Sequence, residues 1–275
     1  MEISQARQLV EAAYRDEELL ALYAKGDELS HSQTKHDVDH AFQVRDVALK
    51  LTEEYLHRFP GKLNDWELDV IIPLAAFLHD IGRAIDVDNH AQAGAKVMNK
   101  YLREKGLPPE HVRRICKIIA CHRSSVVLTR EFDDPCWAII VIADKCVGDE
   151  DRVRPWQAAK LRVLRFFNLC RLWTGSPHDK VNFAIKEPEL VVDGKDTPNS
   201  TDPGAIILKL QIDRRVCAPV DIYQLYSDRF HACGRAAQYL GFLFRLEFNQ
   251  ERYAYSKERQ GWVPIRSIKV SHPND

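Results

Sequence analysis

The sequence from residue 74 to residue 83 is Leu74-Ala75-Ala76-Phe77-Leu78-His79-Asp80-Ile81-Gly82-Arg83. A helix over about residues 66–80 would be apolar on every side and therefore buried all round. It ends in a histidine and a carboxylate, which are costly to bury without partners. Neighbouring helix residues point about 100° apart, so His79 and Asp80 can bind one ion from two sides. The alternative is a core histidine that is hydrogen-bonded to its neighbour.

Three more segments show an apolar helix that carries a residue of the metal-ligand type. One predicted helix carries His40 and has Val44, Val47, Ala48 and Leu51 as its core stripe. Asp144 ends the apolar run 137–143, and His122 ends the run 115–121. A buried carboxylate after such a run needs a cation or several hydrogen-bond donors. Two histidines and two aspartates that meet in a helical core can form a first-row metal site.

The order His40, His79-Asp80, Asp144 resembles the motif of the HD superfamily of metal-dependent phosphohydrolases. The resemblance includes the local string His-Asp-Ile-Gly followed by a basic residue, and it covers about residues 20–150. It implies that His40, His79, Asp80 and Asp144 bind one metal ion.

Two further histidines resemble those of two-metal members, including the HD-type diadenosine tetraphosphate hydrolases. His90 is followed by Gly94 and Ala95, as in a His-x-x-x-Gly-Ala segment, and His122 occupies the place of a further ligand. The resemblance implies that Asp80 bridges to a second ion, bound by His90 and His122. The alternatives are an exposed first-turn residue for His90 and a histidine that favours the helix dipole for His122.

A departure from some relatives narrows the subclass. Only Arg123-Ser124-Ser125 follows His122, without a second histidine and without an Asp-Gly-x-Gly-Tyr-Pro string. This argues against the cyclic-di-GMP phosphodiesterase branch.

Such a site favours hydrolysis of a phosphate ester or anhydride. Two divalent ions about 3.5–4 Å apart lower the pKa of a shared water and stabilise both oxygens of an in-line displacement. Cations are then needed for the developing negative charge, and we predict Arg83, Arg123 and Lys145 as substrate-binding residues. Asp80, Arg83 and Lys145 are the predicted catalytic residues. For each cation the alternative is an ordinary surface charge, and Arg152 is a weaker candidate.

His36 lies one turn before His40 and therefore on the same helix face. We predict that it contacts the substrate or shuttles a proton, although a role at the start of the helix explains it equally well. The nitrogen and carboxylate ligands predict one or two divalent transition-metal ions, with iron or manganese preferred and cobalt, nickel, zinc or magnesium also compatible.

Composition narrows the function further. The net charge of −1 over 275 residues argues against a binder of nucleic-acid polymers or anionic membranes. No run approaches the roughly 18 apolar residues of a membrane span, and the seven cysteines lack a Cys-x-x-Cys pair. We expect a cytoplasmic enzyme for a small phosphorylated substrate, a nucleotide above all, with homo-oligomer formation left open. The alternatives are an HD-fold di-iron oxygenase and a non-catalytic ligand-binding regulator.

The predicted fold class is mainly α: an HD-domain helical bundle with a small C-terminal α+β appendage. We assign residues 1–177 to the helical metal-binding domain and residues 178–275 to the extension. Within the bundle, one helix is predicted from Ser4 to Lys25 with Gly26 as its stop. A helix over about 155–173 is predicted to pack Leu161, Leu164, Phe167 and Leu172 against the bundle.

Periodicity changes in the extension. Strands are predicted from the alternating apolar residues at 181–185, 206–212, 244–248 and 263–268, with a polar loop at 198–204. A helix is predicted over about 220–240.

Overall fold

The computed structural model describes residues 1–30, 34–194, 203–256, 258–259 and 261–265. The described residues form these α-helices: α1 (Ile3–Ala13), α2 (Glu17–Leu29), α3 (Val38–Arg58), α4 (Ile72–Leu78), α5 (His90–Glu104), α6 (Pro109–Cys121), α7 (Ser124–Val127), α8 (Pro135–Cys146), α9 (Pro155–Phe166), α10 (Pro177–Ala184), α11 (Pro219–Leu225) and α12 (Ser227–Tyr239). A π-helical turn (Glu67–Ile71) precedes α4, and 3₁₀ turns lie at Ile81–Ala84, Glu150–Arg152 and Cys170–Leu172. The strands are β1 (Ile185–Asp193), β2 (Ala205–Ile212), β3 (Leu243–Phe248), β4 (Glu251–Ser256) and β5 (Gly261–Pro264). The predicted fold class, a mainly helical bundle with a C-terminal α+β appendage, is confirmed.

Two helices form the centre of the bundle because they have no polar face. Every residue of α4 is buried, and in α8 the whole run from Cys136 to Asp144 is buried. α3 packs against both of these helices. Pro73 is accommodated because it lies in the first turn of α4, where its missing N–H costs nothing. The apolar runs therefore bury the residues that end them, His79 and Asp144.

The C-terminal sheet contacts the bundle through α12, and β1 also contacts α3 and α10. The strand order is β1-β2-β3-β4-β5, and only the β2–β3 pair is parallel. Parallel neighbours need a crossover, which here contains α11 and α12. α12 contacts β3 on one side and α8 on the other. The sheet is therefore tied to the helix that carries Asp144.

The predicted single N-terminal helix is wrong. The first helix ends at Ala13 and a second helix begins at Glu17. The Asp16 side chain is the N-cap of this second helix, because it accepts hydrogen bonds from the N–H groups of Glu18 and Leu19. Gly26 does not end a helix but lies inside α2. A β-carbon there would lie 3.0 Å from the Arg83 β-carbon, so its role is to allow α2 close to the segment after His79-Asp80.

The predicted strand at 181–185 is also wrong in its first residues. Residues 177–184 form α10, because the Ser176 side chain accepts from the His178 N–H and Pro177 fits the first helical turn. The strand begins at Ile185. α10 starts at the boundary that we predicted between residues 177 and 178, and it contacts α9 as well as β1.

Other elements differ from the sequence in detail. The helix predicted over 155–173 ends at Phe166, and Phe167 and Leu172 are 63% and 57% exposed instead of packed. The helix predicted over 220–240 is divided into α11 and α12, and β4 was not predicted. The strands at 206–212 and 244–248 are confirmed, and β5 confirms the first part of 263–268. Ile268 and most of the predicted loop 198–204 lie outside the described residues.

Within the part of the chain that the structure describes, no helix is both long enough and apolar enough to cross a bilayer.

Gly82 lies in the 3₁₀ turn and packs so closely against α5 that no space remains for a side chain. A β-carbon at Gly82 would lie 2.8 Å from the Gly94 α-carbon and would overlap the His90 carbonyl oxygen. Gly82→Ala is therefore expected to displace α5 and to destabilise the fold by about 1–3 kcal/mol. The matched control is Gly234→Ala within α12, where a β-carbon meets nothing within 4 Å and a gain of about 0.5–1 kcal/mol is expected. Denaturant unfolding of both variants measures the difference, and equal stabilities would contradict this account.

Candidate metal centre

Six side chains of the predicted metal-ligand set meet where several helices begin or end. They come from the first turn of α3, the residues just after α4, the first residue of α5, the residue after α6 and the last turn of α8. All are buried: His40, His79, Asp80, His90, His122 and Asp144.

Three of the histidines are held in the same way. In His79, His90 and His122, Nδ1 donates to the carbonyl oxygen three residues earlier, at 2.8, 2.9 and 2.7 Å respectively. This bond fixes the tautomer that leaves Nε2 with a free lone pair, as in histidines that bind metal. The sequence produces the arrangement because each of these histidines lies at a helix terminus or immediately after one, within reach of a backbone carbonyl.

Asp80 lies between two groups of histidines. Its Oδ1 is 3.1 Å from His90 Nε2 and 3.5 Å from His122 Nε2, whereas its Oδ2 is 3.7 Å from His79 Nε2. The ligand atoms form two clusters, His40-His79-Asp80 and Asp80-His90-His122, within which all atoms lie within 4.8 Å of one another. The carboxylate that belongs to both clusters has the position of a bridging ligand.

Asp144 lies beside the first cluster. Its Oδ1 is 3.8 Å from His40 Nε2 and 3.6 Å from His79 Nε2. Its Oδ2 forms an ion pair with Lys145. Asp144 can therefore complete the set of His40, His79 and Asp80 with one oxygen while the other is held by a cation.

The protonation states fit a metal centre. Burial lowers the pKa of His40 to about 3 and that of His122 to about 4, so both imidazoles are neutral at pH 7. Burial alone would raise the pKa of Asp80, but Arg83 and His79 hold it well below its usual value. Neutral imidazole and ionised carboxylate are the forms that bind metal.

Unpaired buried atoms give a second reason to place an ion here. Both ring nitrogens of His40 and Nε2 of His79 are buried without a hydrogen-bond partner among the described residues. Leaving such groups unsatisfied costs about 1–3 kcal/mol each. A metal ion bound by the two Nε2 atoms would remove the cost at those two atoms, and a set of imidazoles and carboxylates suits a first-row divalent ion.

Residues 37–149 match the HD domain. The chain contains an HD domain. HD domains form a superfamily of metal-dependent hydrolases that bind divalent metal ions, and the matched range contains all six residues of the cluster. No curated protein matches the chain.

A cavity of about 570 Å³ opens above the candidate metal ligands of the HD domain. Asp80, His90, His122 and Asp144 contribute to its wall. Five cationic side chains also line it: Arg83, Arg123, Lys145, Arg152 and Arg229. The site is therefore accessible to a small molecule, and positive charges surround its carboxylates.

The three predicted substrate-binding cations take different positions. Arg83 is buried instead of turning toward solvent, and its Nε donates to Asp80 Oδ2 at 3.0 Å. Lys145 pairs with Asp144. Arg123 donates to the Asp88 carbonyl oxygen across the cavity rim. All three line the cavity, and their contact with substrate stays a prediction.

His36 also lines the cavity. Its Nδ1 is 2.6 Å from the Thr34 carbonyl oxygen, and its ring centroid is 5.6 Å from that of His40. Burial, together with the charges of Arg152 and Arg83, lowers the pKa of His36 well below its usual value. It is therefore a neutral imidazole beside the metal ligands.

One wall of the cavity was not predicted from the sequence. Ser176, His178, Asn182, Tyr226 and Arg229 line it from α10, α12 and the residues next to them. These residues follow no catalytic motif, so only the packing of α10 and α12 against the bundle reveals them. Arg152, which sequence suggested as a weaker candidate, belongs to the same wall.

The bridging position of Asp80 predicts how metal content should change on substitution. We expect the wild-type chain to bind up to two transition-metal ions, Asp80→Ala to lose both, and His122→Ala to lose one. His111→Ala is the control, since His111 stacks on Trp66 away from the cavity. Elemental analysis of purified and reconstituted protein gives the metal-to-chain ratio. Trace metal in the reconstituted wild type would contradict the metal centre, and a single fully bound ion would remove His90 and His122 from the ligand set.

Proposed function

We propose that the protein hydrolyses a small phosphate ester or anhydride, with a nucleotide as the preferred substrate class. The observation that carries the proposal is the Asp80 carboxylate, shared by two ligand clusters at a cavity lined by cations. Iron or manganese is the proposed metal. Two divalent ions would supply an activated water and stabilise the attacking and leaving oxygens of an in-line displacement.

The side chains of the cavity supply the remaining functions. Lys145 and Arg123 line the cavity and would bind phosphate oxygens as negative charge develops on them. Arg83 keeps Asp80 ionised and orients it through the bond to Oδ2. His36 lies beside His40 and lines the cavity, so it would contact the substrate as a neutral imidazole.

The size and charge of the cavity favour a small anion. Five cations and two carboxylates line a volume of about 570 Å³, which lies within the roughly 300–1,000 Å³ range of small-molecule sites. The chain as a whole has a net charge of −1. Within the cavity the cations outnumber the carboxylates, although the chain as a whole has no excess of positive charge. This favours a small anion over a nucleic-acid polymer.

Phosphate release and oxygen uptake together test this function. Protein reconstituted anaerobically with iron or manganese should release phosphate from members of a panel of nucleotides and phosphorylated metabolites. Asp80→Ala should reduce the release to background. Oxygen uptake without phosphate release would instead indicate a di-iron oxygenase, and the absence of both activities would indicate a ligand-binding protein.

The buried contact between Arg83 and Asp80 changes what Arg83→Ala should do. Loss of charge near the developing oxyanion is expected to lower the rate by about 10²–10³. Because Arg83 also orients a metal ligand, metal affinity should fall by about 10-fold or more. Arg7→Ala is the control, since Arg7 forms an exposed ion pair with Asp69. Metal titrations followed by rates at saturating metal measure the two effects separately; unchanged metal affinity would mean that the Nε–Oδ2 contact does not support the ligand.

A further inference from the structure

Two of the cavity arginines converge on one backbone oxygen. Arg152 Nη1 and Arg229 Nη2 both donate to the Val147 carbonyl, at 3.5 and 3.4 Å. Arg152 is 6% exposed. Two positive charges are therefore held next to each other in a largely buried wall, where their repulsion is weakly screened.

No carboxylate among the described residues lies within ion-pair distance of either arginine. The other acceptors of Arg152 and Arg229 are backbone carbonyls, from Lys35 and from Asp144 and Lys145 respectively. The carbonyl dipoles at the C-terminal end of α8 stabilise a positive charge, but they do not neutralise the charges of two arginines. The carboxylates of Asp144 and Asp80 act on Arg152 from beyond ion-pair distance. Neither arginine has the direct ion pair that a buried charge usually forms with any described carboxylate.

Arg229 also has donors that face no protein acceptor. Its hydrogen bonds to the described residues all use Nη2, so Nε and Nη1 make none there. Its guanidinium stacks 4.5 Å above the ring of Tyr226, whose hydroxyl donates to Asn182 Oδ1 at 2.8 Å. The guanidinium is therefore fixed before a ligand arrives, which lowers the entropic cost of binding.

We propose that Arg152 and Arg229 form a subsite for a second anionic group of the substrate. The proposal rests on the proposed function, in which one phosphate binds at the metal centre beside Arg83, Arg123 and Lys145. Arg83 and Lys145 already pair with Asp80 and Asp144. Arg152 and Arg229 have no direct carboxylate partner among the described residues, so they can bind another negative group. The preferred substrate is accordingly a compound with a phosphate at one end and a phosphate or carboxylate elsewhere. Both subsite residues follow the matched range 37–149, so the residues after the HD domain supply this selectivity.

The test uses phosphonates, whose carbon–phosphorus bonds are not hydrolysed. Calorimetry on the full-length, metal-loaded protein compares methylphosphonate with alkane bisphosphonates of two to four carbons and with 3-phosphonopropionate. The wild type should bind at least one doubly anionic ligand about tenfold or more tightly than methylphosphonate. A preference confined to bisphosphonates identifies the second group as phosphate, and one shared with 3-phosphonopropionate extends it to carboxylate.

Arg152→Gln and Arg229→Gln should each remove most of this preference. Arg235→Gln is the matched control, because Arg235 also lies on α12 and donates to a bundle carbonyl, that of Val127, but does not line the cavity. If a Gln variant fails to fold, Arg152→Lys and Arg229→Lys replace it. They keep the charge but lose the planar fork, and should lose about threefold or more of the preference.

The outcomes separate this inference from the proposed function. A wild type without any preference, or Gln and Lys variants that keep it, would show that the two arginines only brace α12 and the 3₁₀ turn against α8. Phosphate release with no such preference would overturn the subsite alone. A preference that depends on Arg152 and Arg229 without any phosphate release would overturn the hydrolase and leave the subsite standing.

Discussion

The arrangement of the site depends on one constraint, the burial of the Asp80 carboxylate among histidines. Asp80 is 4% exposed, and its two oxygens face different imidazole pairs. A buried carboxylate without compensating cations would be protonated or would unfold its surroundings. Arg83 provides one cation from the same 3₁₀ turn, and metal ions would provide the rest. Two elements hold Asp80 in this position: the all-apolar α4 before it and the Gly82 contact with α5 after it.

A rigid apolar core makes the histidine geometry reproducible. α4 and α8 are packed against the core on every side, so rotation of either helix would disrupt the close packing of their side chains. Each of His79, His90 and His122 is then fixed by a backbone carbonyl three residues earlier, and no additional side chain is required as the second-layer acceptor. Ligand orientation is thus built into helix ends, where free carbonyl groups are common.

The sequence predicted what local patterns determine and missed what tertiary packing decides. The apolar runs that end in His79 and Asp144 indicate that these two residues are buried at the ends of helices. The helical bundle and these candidate ligands could therefore be predicted from the sequence. The break at Asp16 and the start of α10 at Pro177 depended on capping bonds that compete with periodicity. Arg229 had no local signal, because its place at the cavity follows from the packing of α12 on α8, 85 residues away from Asp144 in sequence.

The two parts of the chain therefore contribute differently to the same cavity. Residues 37–149 provide the candidate ligands, whereas α12 lies in the crossover between the parallel strands β2 and β3. The sheet consequently determines where Arg229 lies, although no strand residue lines the cavity. α12 also buries Cys233 against Cys146, at an Sγ–Sγ distance of 4.0 Å, two residues beyond Asp144. A change in the position of the sheet would thus move the end of α8 and the charged wall together. The extension therefore contacts the helix that carries Asp144, and in the proposed subsite it would act on substrate choice through that same helix.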